Sequence, residues 1–226
     1  VTAPRPNHFG GSDRAMQSSR ADQAAFAVAN ARLFKAEQHR RRLAESLASI
    51  TKTINASLDL HEVLNLILEQ LSLVVEYDSS SILLFEEDSN SLAVKAARGF
   101  EDMADALKVK LPFDENIPNY QAIIQKCPVV IADVDAEVYW KKSSSSQNVR
   151  SWIGAPLIAQ DEVVGMLTVD SHDVNKYTDE NVKVVAAFAD QAATAVANAQ
   201  TVTRLQNAEA SYAALFEDNT DMIIIT

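Results

Sequence analysis

A single cysteine, Cys127, in 226 residues excludes an internal disulfide framework and any CxxC metal or redox pair. Five glycines leave no Gly-rich phosphate loop, and neither an HExxH box nor a kinase phosphate-binding box occurs. The four histidines, His8, His39, His61 and His172, stand isolated from one another. No apolar run approaches the roughly 20 residues that cross a bilayer. No signal peptide is visible, so cytoplasm is the expected compartment, and Val1 in place of Met leads us to expect the natural start upstream. Catalysis needs a nucleophile beside a base, a metal site or a phosphate cradle, and the sequence spells out none of these. It therefore gives no catalytic residue, no metal ligand and no identified cofactor.

What is present is the balance of a soluble globular protein, 47% hydrophobic and 23% charged. The net charge of −11 is unevenly spread. Residues 1–56 carry nine Lys or Arg against four Asp or Glu, and residues 57–226 carry 11 against 27. An acidic body repels phosphate backbones, which argues against nucleic acid as a partner. The Arg40-Arg41-Arg42 run reads as a solvated helix face.

A repeat organises the ends of the chain. Residues 21–31, ADQAAFAVANA, recur as ADQAATAVANA at 189–199, one difference in eleven positions at an offset of 168. An offset of that size points to duplicated domains, being too long for a solenoid unit. The chain is thus expected to open with the last helix of a preceding copy. Phe26, Ala29, Leu33, Ala36, Arg40, Leu43, Leu47, Ile50 and Ile54 follow alternating steps of three and four, the seam of a coiled coil interrupted at Arg40. Phe26, Leu33, Leu43, Leu47, Ile50 and Ile54 are the expected contacts of a parallel homodimer. A second long helix should start at Thr178-Asp179-Glu180, with Thr178 as N-cap. Its seam runs through Val182, Val185, Ala189, Ala192, Val196 and Ala199, then moves to Val202, Leu205, Tyr212 and Phe216.

Between the helices the hydrophobic period changes. Asp59 and Glu62 fit a capping box ahead of an amphipathic helix through Val63, Leu64, Ile67, Leu68, Leu71 and Val75. Residues 80–85 and 92–97 read as one strand pair, and residues 151–158 and 163–169 as a clearer hairpin. Sequential hairpins flanked by helices predict an α+β domain, an antiparallel sheet covered by helices on one face. The stretch 98–150 reads as a long irregular connection holding a helical segment at 120–125 and a short strand at 129–131. A connection this long is usually functional, and it is the natural lid over a small-molecule site.

The residues Ser151, Pro156, Leu157, Gly165, Leu167 and Val169, with Tyr177-Thr178-Asp179 opening the last helix, resemble the ordered motifs of the GAF family over about residues 56–200. The resemblance implies a central antiparallel sheet of about six strands, long N- and C-terminal helices packed on one face, and a ligand pocket on the other. Residues 204–226 look like the start of a PAS domain. The expected organisation is therefore 1–55, helix of a preceding GAF copy and linker coiled coil; 56–203, GAF domain; 204–226, linker helix and truncated PAS start. A GAF, GAF, PAS order resembles the sensory half of bacterial histidine kinases and cyclic-di-GMP enzymes, of the two-component and related signalling systems. The resemblance implies a sensory module that binds a small molecule and relays its state through the flanking helices. The alternatives are a ligand-free dimerisation and helix-relay module, and a redox enzyme of the GAF fold.

The candidate pocket residues are Ile82, Tyr120, Ile124, Tyr139, Trp140, Trp152 and Leu167, apolar bodies with a few Tyr or Trp polar edges. Phe85 and Leu167 are also read as plain core. Some GAF relatives tether a bilin through cysteine or reduce methionine sulfoxide with a cysteine pair. Cys127 has no adjacent His and no partner, and is read as structural. Asn175-Lys176 and Asp179-Glu180 resemble part of a cyclic-nucleotide motif, but Tyr177 sits too close to Asp179 for that pattern.

Overall fold

The computed structural model describes residues 10–54, 59–86, 89–115, 117–138, 140 and 146–221. The chain divides into two compact units, Val1–Ala44 and Glu45–Thr226. The first is helical throughout its described part, the N-terminal portion of α1 (Gly10–Ile54). Phe26, Val28, Leu33 and Phe34 lie exposed on it.

The second unit holds the sheet. Asp59 caps α2 (Leu60–Ser72) as expected, its carboxylate accepting from the backbone N–H groups of His61 and Glu62. Then follow β1 (Ser79–Glu86), β2 (Ser89–Arg98), α3 (Met103–Ala106), β3 (Lys110–Pro112), α4 (Pro118–Gln125) and β4 (Val129–Ile131). The chain closes with β5 (Ser151–Ala159), β6 (Glu162–Ser171) and α5 (Asp179–Asp221). All six strands join one antiparallel sheet in the order β3-β2-β1-β6-β5-β4. The α+β prediction and the strand count agree with this architecture. The 98–150 connection is more ordered than its sequence indicates: α3, capped by Asp102, and the edge strand β3 both lie within it. Three residues ending in proline carry too little alternation to be read as a strand.

Both faces of the sheet are covered. On the back, Ile82, Leu167 and Ala155 stand side by side on β1, β6 and β5, each 0% exposed. There α5 packs on β5 and β6, and α2 on β1 and β2. The α5 face is Val185, Phe188, Ala189, Ala192, Ala193 and Val196, all buried. Its alanines let the helix axis approach the strands closely. Thr178 and Asn181 close the start of α5 reciprocally: Thr178 N–H donates to Asn181 Oδ1 at 2.9 Å and Asn181 N–H to Thr178 Oγ1 at 3.4 Å. On the front, Leu83, Leu92, Val94, Met166, Trp152 and Ile131 form a second cluster with residues of the 98–150 connection.

Ile50 is fully buried within its own unit, and the Thr51 hydroxyl lies 3.1 Å from Gln191 Oε1. This corrects one expectation. Ile50 is committed to the core of the domain that follows it and is not left free for a second helix. Leu43 and Leu47 are half-buried, and the Ile54 side chain lies outside the described residues, as do residues 222–226 of the expected PAS strand.

Candidate functional site

Strand alternation sets which side chains can reach the front of the sheet. Ser79, Asp170, Trp152 and Ile131 lie in one cross-strand row, and Ser81, Thr168, Gly154 and Val129 in the next. Above these rows lies a cavity of about 330 Å³. Its floor is Ser81, Leu83, Thr168, Asp170 and Trp152 from the sheet. Its roof is Phe100, Ala106, Ile117, Asn119 and Trp140 from the connection. The volume lies at the lower end of the range for small-molecule pockets.

The walls are mostly apolar and the polar groups sit in two places. On the floor, Ser81 Oγ and Thr168 Oγ1 share a hydrogen bond of 2.8 Å, and Ser79 Oγ donates to Asp170 Oδ2 at 2.9 Å. Asp170 is only 8% exposed. Burial pushes its carboxyl up to about 7, the Ser79 hydrogen bond pulls the other way, and the neighbouring Asp78 charge adds to the rise. On the roof, Asn119 Oδ1 and Trp140 Nε1 are buried with no hydrogen-bond partner among the described residues. An orphaned buried polar atom costs roughly 1–3 kcal/mol, so these two residues of the cavity lining carry a standing cost.

Aromatic packing shapes the roof. Trp140 meets Trp152 edge to face with centroids 5.9 Å apart, while Phe113 links Phe85 at 5.4 Å to Tyr120 at 5.2 Å. The Trp152 indole lies across Gly154, where an added Cβ would fall 2.0 Å from the ring. Arg150 fastens the 3₁₀ turn Val134–Ala136, contacting Asp133 at 3.2 Å and Asp135 at 3.3 Å.

A polar chain joins the floor of the cavity to the start of α5. Asp78 N–H donates to the Asp170 carbonyl at 2.9 Å, and the Asp78 carboxylate accepts from Ser171 Oγ at 2.9 Å and His172 N–H at 2.7 Å. Partial burial alone would raise the Asp78 carboxyl, but these hydrogen bonds outweigh it and hold the group below its usual value. Ser151 Oγ donates to the Asp173 carbonyl at 2.7 Å and Asn175 N–H to the Ala132 carbonyl at 2.8 Å. Tyr177, one residue before the cap, has its hydroxyl buried without a partner among the described residues. Burial first, then the nearby Asp170 and Asp78, pushes that hydroxyl far up.

Of the residues expected to line a pocket, the structure brings Trp140 and Trp152 together at the cavity. Ile82 and Leu167 are corrected: each is one residue out of phase with the front rows and belongs to the core beneath the helices. Tyr120 packs against Phe113 beside the cavity, and Ile124 is 59% exposed on the outer side of α4. Tyr139 lies outside the described residues. Phe85 packs against the front cluster. Cys127 is also corrected: it is exposed just after α4 and takes no part in the core or in the cavity lining. Sequence reasoning missed Ser81, Asn119, Thr168 and Asp170. For Ser81, Thr168 and Asp170 the signal was polar side chains at one parity of otherwise apolar strands, whereas Asn119 sits on α4 and carried no such signal. Among the described residues there is no group of His, Cys, Asp and Glu that could hold a metal ion, and no helix long and apolar enough to cross a membrane.

A helix-backed six-stranded antiparallel sheet with a roofed cavity on its front is the architecture of a GAF-type sensory domain. The chain belongs to the GAF domain family, whose pattern it matches over residues 57–197. No curated protein matches it. Among solved structures it is similar to the GAF domain of a phosphoenolpyruvate-protein phosphotransferase from Coxiella burnetii. That pair shares 20% identity at a TM-score of 0.65, covering 73% of this chain and 98% of the other. A methyl-accepting chemotaxis protein, residues 122 to 287, shares 27% identity at a TM-score of 0.60, covering 68% and 98%. A free methionine-R-sulfoxide reductase from Neisseria meningitidis, solved with its substrate, shares 19% identity at a TM-score of 0.60, covering 71% and 91%.

Proposed function

We propose that this GAF domain is the sensory module of a signal-transduction protein, binding a small molecule in the front cavity and passing its state along α5. The observation that carries the reading is the cavity itself. It has apolar walls, and two of its lining residues carry buried polar atoms, Asn119 Oδ1 and Trp140 Nε1, that lack partners among the described residues. The hydrogen bonds that the Asp78 carboxylate accepts from Ser171 Oγ and His172 N–H give the floor a short mechanical route toward the helix start. A ligand that favours one arrangement of floor and roof then biases α5 by its differential affinity for the two states.

Replacing Ala106 with Leu tests this, because Ala106 lines the roof and a longer side chain there occupies ligand volume. A library compound that binds the folded state raises the melting temperature of the unsubstituted protein. The same compound should leave the A106L variant unmoved. A full, unchanged shift in A106L would place binding elsewhere.

The finer context follows the repeat and the helices. The segment 21–31 is the counterpart of the α5 segment that packs on the sheet, which supports a tandem GAF arrangement; cytoplasmic output domains of the histidine kinase or cyclic-di-GMP kind belong to the same proposal. Phe26 and Leu33, exposed at 70% and 69%, favour a parallel homodimer through α1. The methionine sulfoxide reductase among the similar structures keeps a redox activity in view. Cys127 lies away from the cavity lining, so the sensory reading is the better supported. Loss of a measured reductase activity on Cys127→Ser would reverse that order.

A further inference from the structure

We infer that the front cavity selects a small organic cation, an ammonium group on an apolar body, whose charged end sits against Asp170. The inference rests on the sensory reading above and specifies the chemistry of its ligand. The described residues lining the cavity include no Lys, Arg or His, and their two ionisable side chains, Asp114 and Asp170, are both acidic. A phosphate or carboxylate placed there would be desolvated beside like charge, with no cation among the described lining residues to answer it. An ammonium meets the opposite situation. Asp170 is nine-tenths buried, and the one side-chain hydrogen bond it has among the described residues, from Ser79, engages Oδ2. Asn119, 5% exposed and part of the same lining, carries a carbonyl oxygen with no partner among the described residues, a group that accepts from an N–H and cannot donate.

The aromatic walls point the same way. Trp140, Trp152 and Phe100 line the same cavity, and indole faces attract a desolvated cation more strongly than any other side-chain ring. At a share of ~30 Å³ per water, the cavity holds roughly ten waters' worth of space, enough for an aromatic or branched aliphatic amine and too little for a large cofactor.

Asp170 must be ionised to bind a cation well, so its proton sets the pH range of recognition. The groups around it are Ser79 and Asp78 on the β1 side, Trp152 on β5, His172 and Tyr177 in the segment that leads into α5, and Asp114 across the cavity. The nearby negative charge of Asp78 favours the protonated carboxyl, whereas an ammonium in the cavity favours the carboxylate. The bound cation and the Asp170 proton therefore compete.

The test uses three size-matched probes, phenethylamine, phenethyl alcohol and phenylacetate, followed by amide chemical shifts of the full chain at pH 8.5 and pH 5.5. The expected result is perturbation of residues around Asp170 and Asn119, with the amine binding at least about tenfold tighter than the alcohol at pH 8.5. That preference should shrink toward parity at pH 5.5 and be absent at both pH values in Asp170→Asn. Equal or tighter cavity binding of the alcohol or the carboxylate at pH 8.5 overturns the cation inference while leaving a ligand cavity in place. So does an amine preference that ignores pH. Perturbation by none of the three probes overturns both readings together. The pH series on the unsubstituted protein decides the matter even if Asp170→Asn does not fold.

Discussion

At the scale of single residues, the cavity carries its chemistry at a cost in stability, and Asp170 is where that cost is measurable. Its folded carboxyl titrates near 7 because burial penalises the charge, whereas the unfolded chain titrates it near 3.8. Between those values the unfolded state has lost the proton and the native state keeps it, so stability falls as pH rises from about 4 to about 7 and is flat above. Asp170→Asn removes the penalty, and urea denaturation should find it more stable than the parent at pH 8 by roughly 1–4 kcal/mol and nearly equal at pH 4. A variant equally destabilised at both pH values would show instead that the carboxylate is structurally required. Two glycines separate packing from binding. A Cβ on Gly165 would lie 2.2 Å from the Leu83 carbonyl oxygen, a backbone atom that cannot yield without parting β1 from β6. Gly165→Ala should therefore cost about 3 kcal/mol. A Cβ on Gly154 meets the far end of the Trp152 ring, which can swing aside. Gly154→Ala should cost nearer ~1 kcal/mol, yet weaken any cavity ligand by displacing the wall that holds it. Chemical denaturation of both variants, with ligand titration of the second, checks the contrast.

At the scale of elements, the hairpins and the two helix starts were legible because each rests on a local rule. Short apolar runs on either side of a polar turn mark β5 and β6, and the side chains of Asp59 and Thr178 mark the caps of α2 and α5. The cavity was less legible for a geometric reason. The period of two divides Ile82 and Leu167 from Ser81 and Thr168, but β1 and β6 are buried on both faces, so alternation cannot say which parity meets the helices. Hydrophobicity favoured Ile82 and Leu167 as pocket residues, whereas the helix side is the drier face and claims them. The cavity side tolerates Ser81, Thr168 and Asp170 because cross-strand hydrogen bonds pair Ser81 with Thr168 and Asp170 with Ser79. α5 shows the same change of surroundings along its length. Residues 184–196 bury a face on the sheet, while Leu205 is 60% exposed and the described positions after Val202 are exposed with it. An isolated helix of some 20 residues is marginal in water, so hydrogen exchange in the monomer should protect amides 184–196 far longer than amides 205–221, by two or more orders of magnitude. Uniform protection to residue 221 would mean that the second half is packed on a partner.

At the scale of the whole molecule, the unequal fates of one helical motif lead to the question of partners. The residues 189–199 that lie against β5 have near-identical counterparts at 21–31, and of those counterparts Phe26 and Val28 are exposed. Isolated exposed hydrophobics are ordinary, but Phe26 and Leu33 lie seven residues apart, one heptad, and so share a helix face with the half-buried Leu43 and Leu47 beyond them. Burying a side chain of this kind contributes about 1.5–3 kcal/mol. Phe26 and Leu33 from both helices of a two-fold pair would together contribute on the order of 6–12 kcal/mol, the same order as the ~4–15 kcal/mol cost of association. Dimerisation through α1 should therefore be real but breakable by two substitutions. Sedimentation of the full chain at tens of micromolar, by order of magnitude, is expected to show a dimer, and Phe26→Glu with Leu33→Glu a monomer. The melting temperature of the GAF unit should stay within about 2 °C of the parent, because neither side chain belongs to its core. Ile50→Glu should do the reverse, unfolding the domain by placing an unpaired charge where the chain is fully buried. A monomeric parent, or a dimer indifferent to the paired glutamates, would remove α1 as the dimer seam.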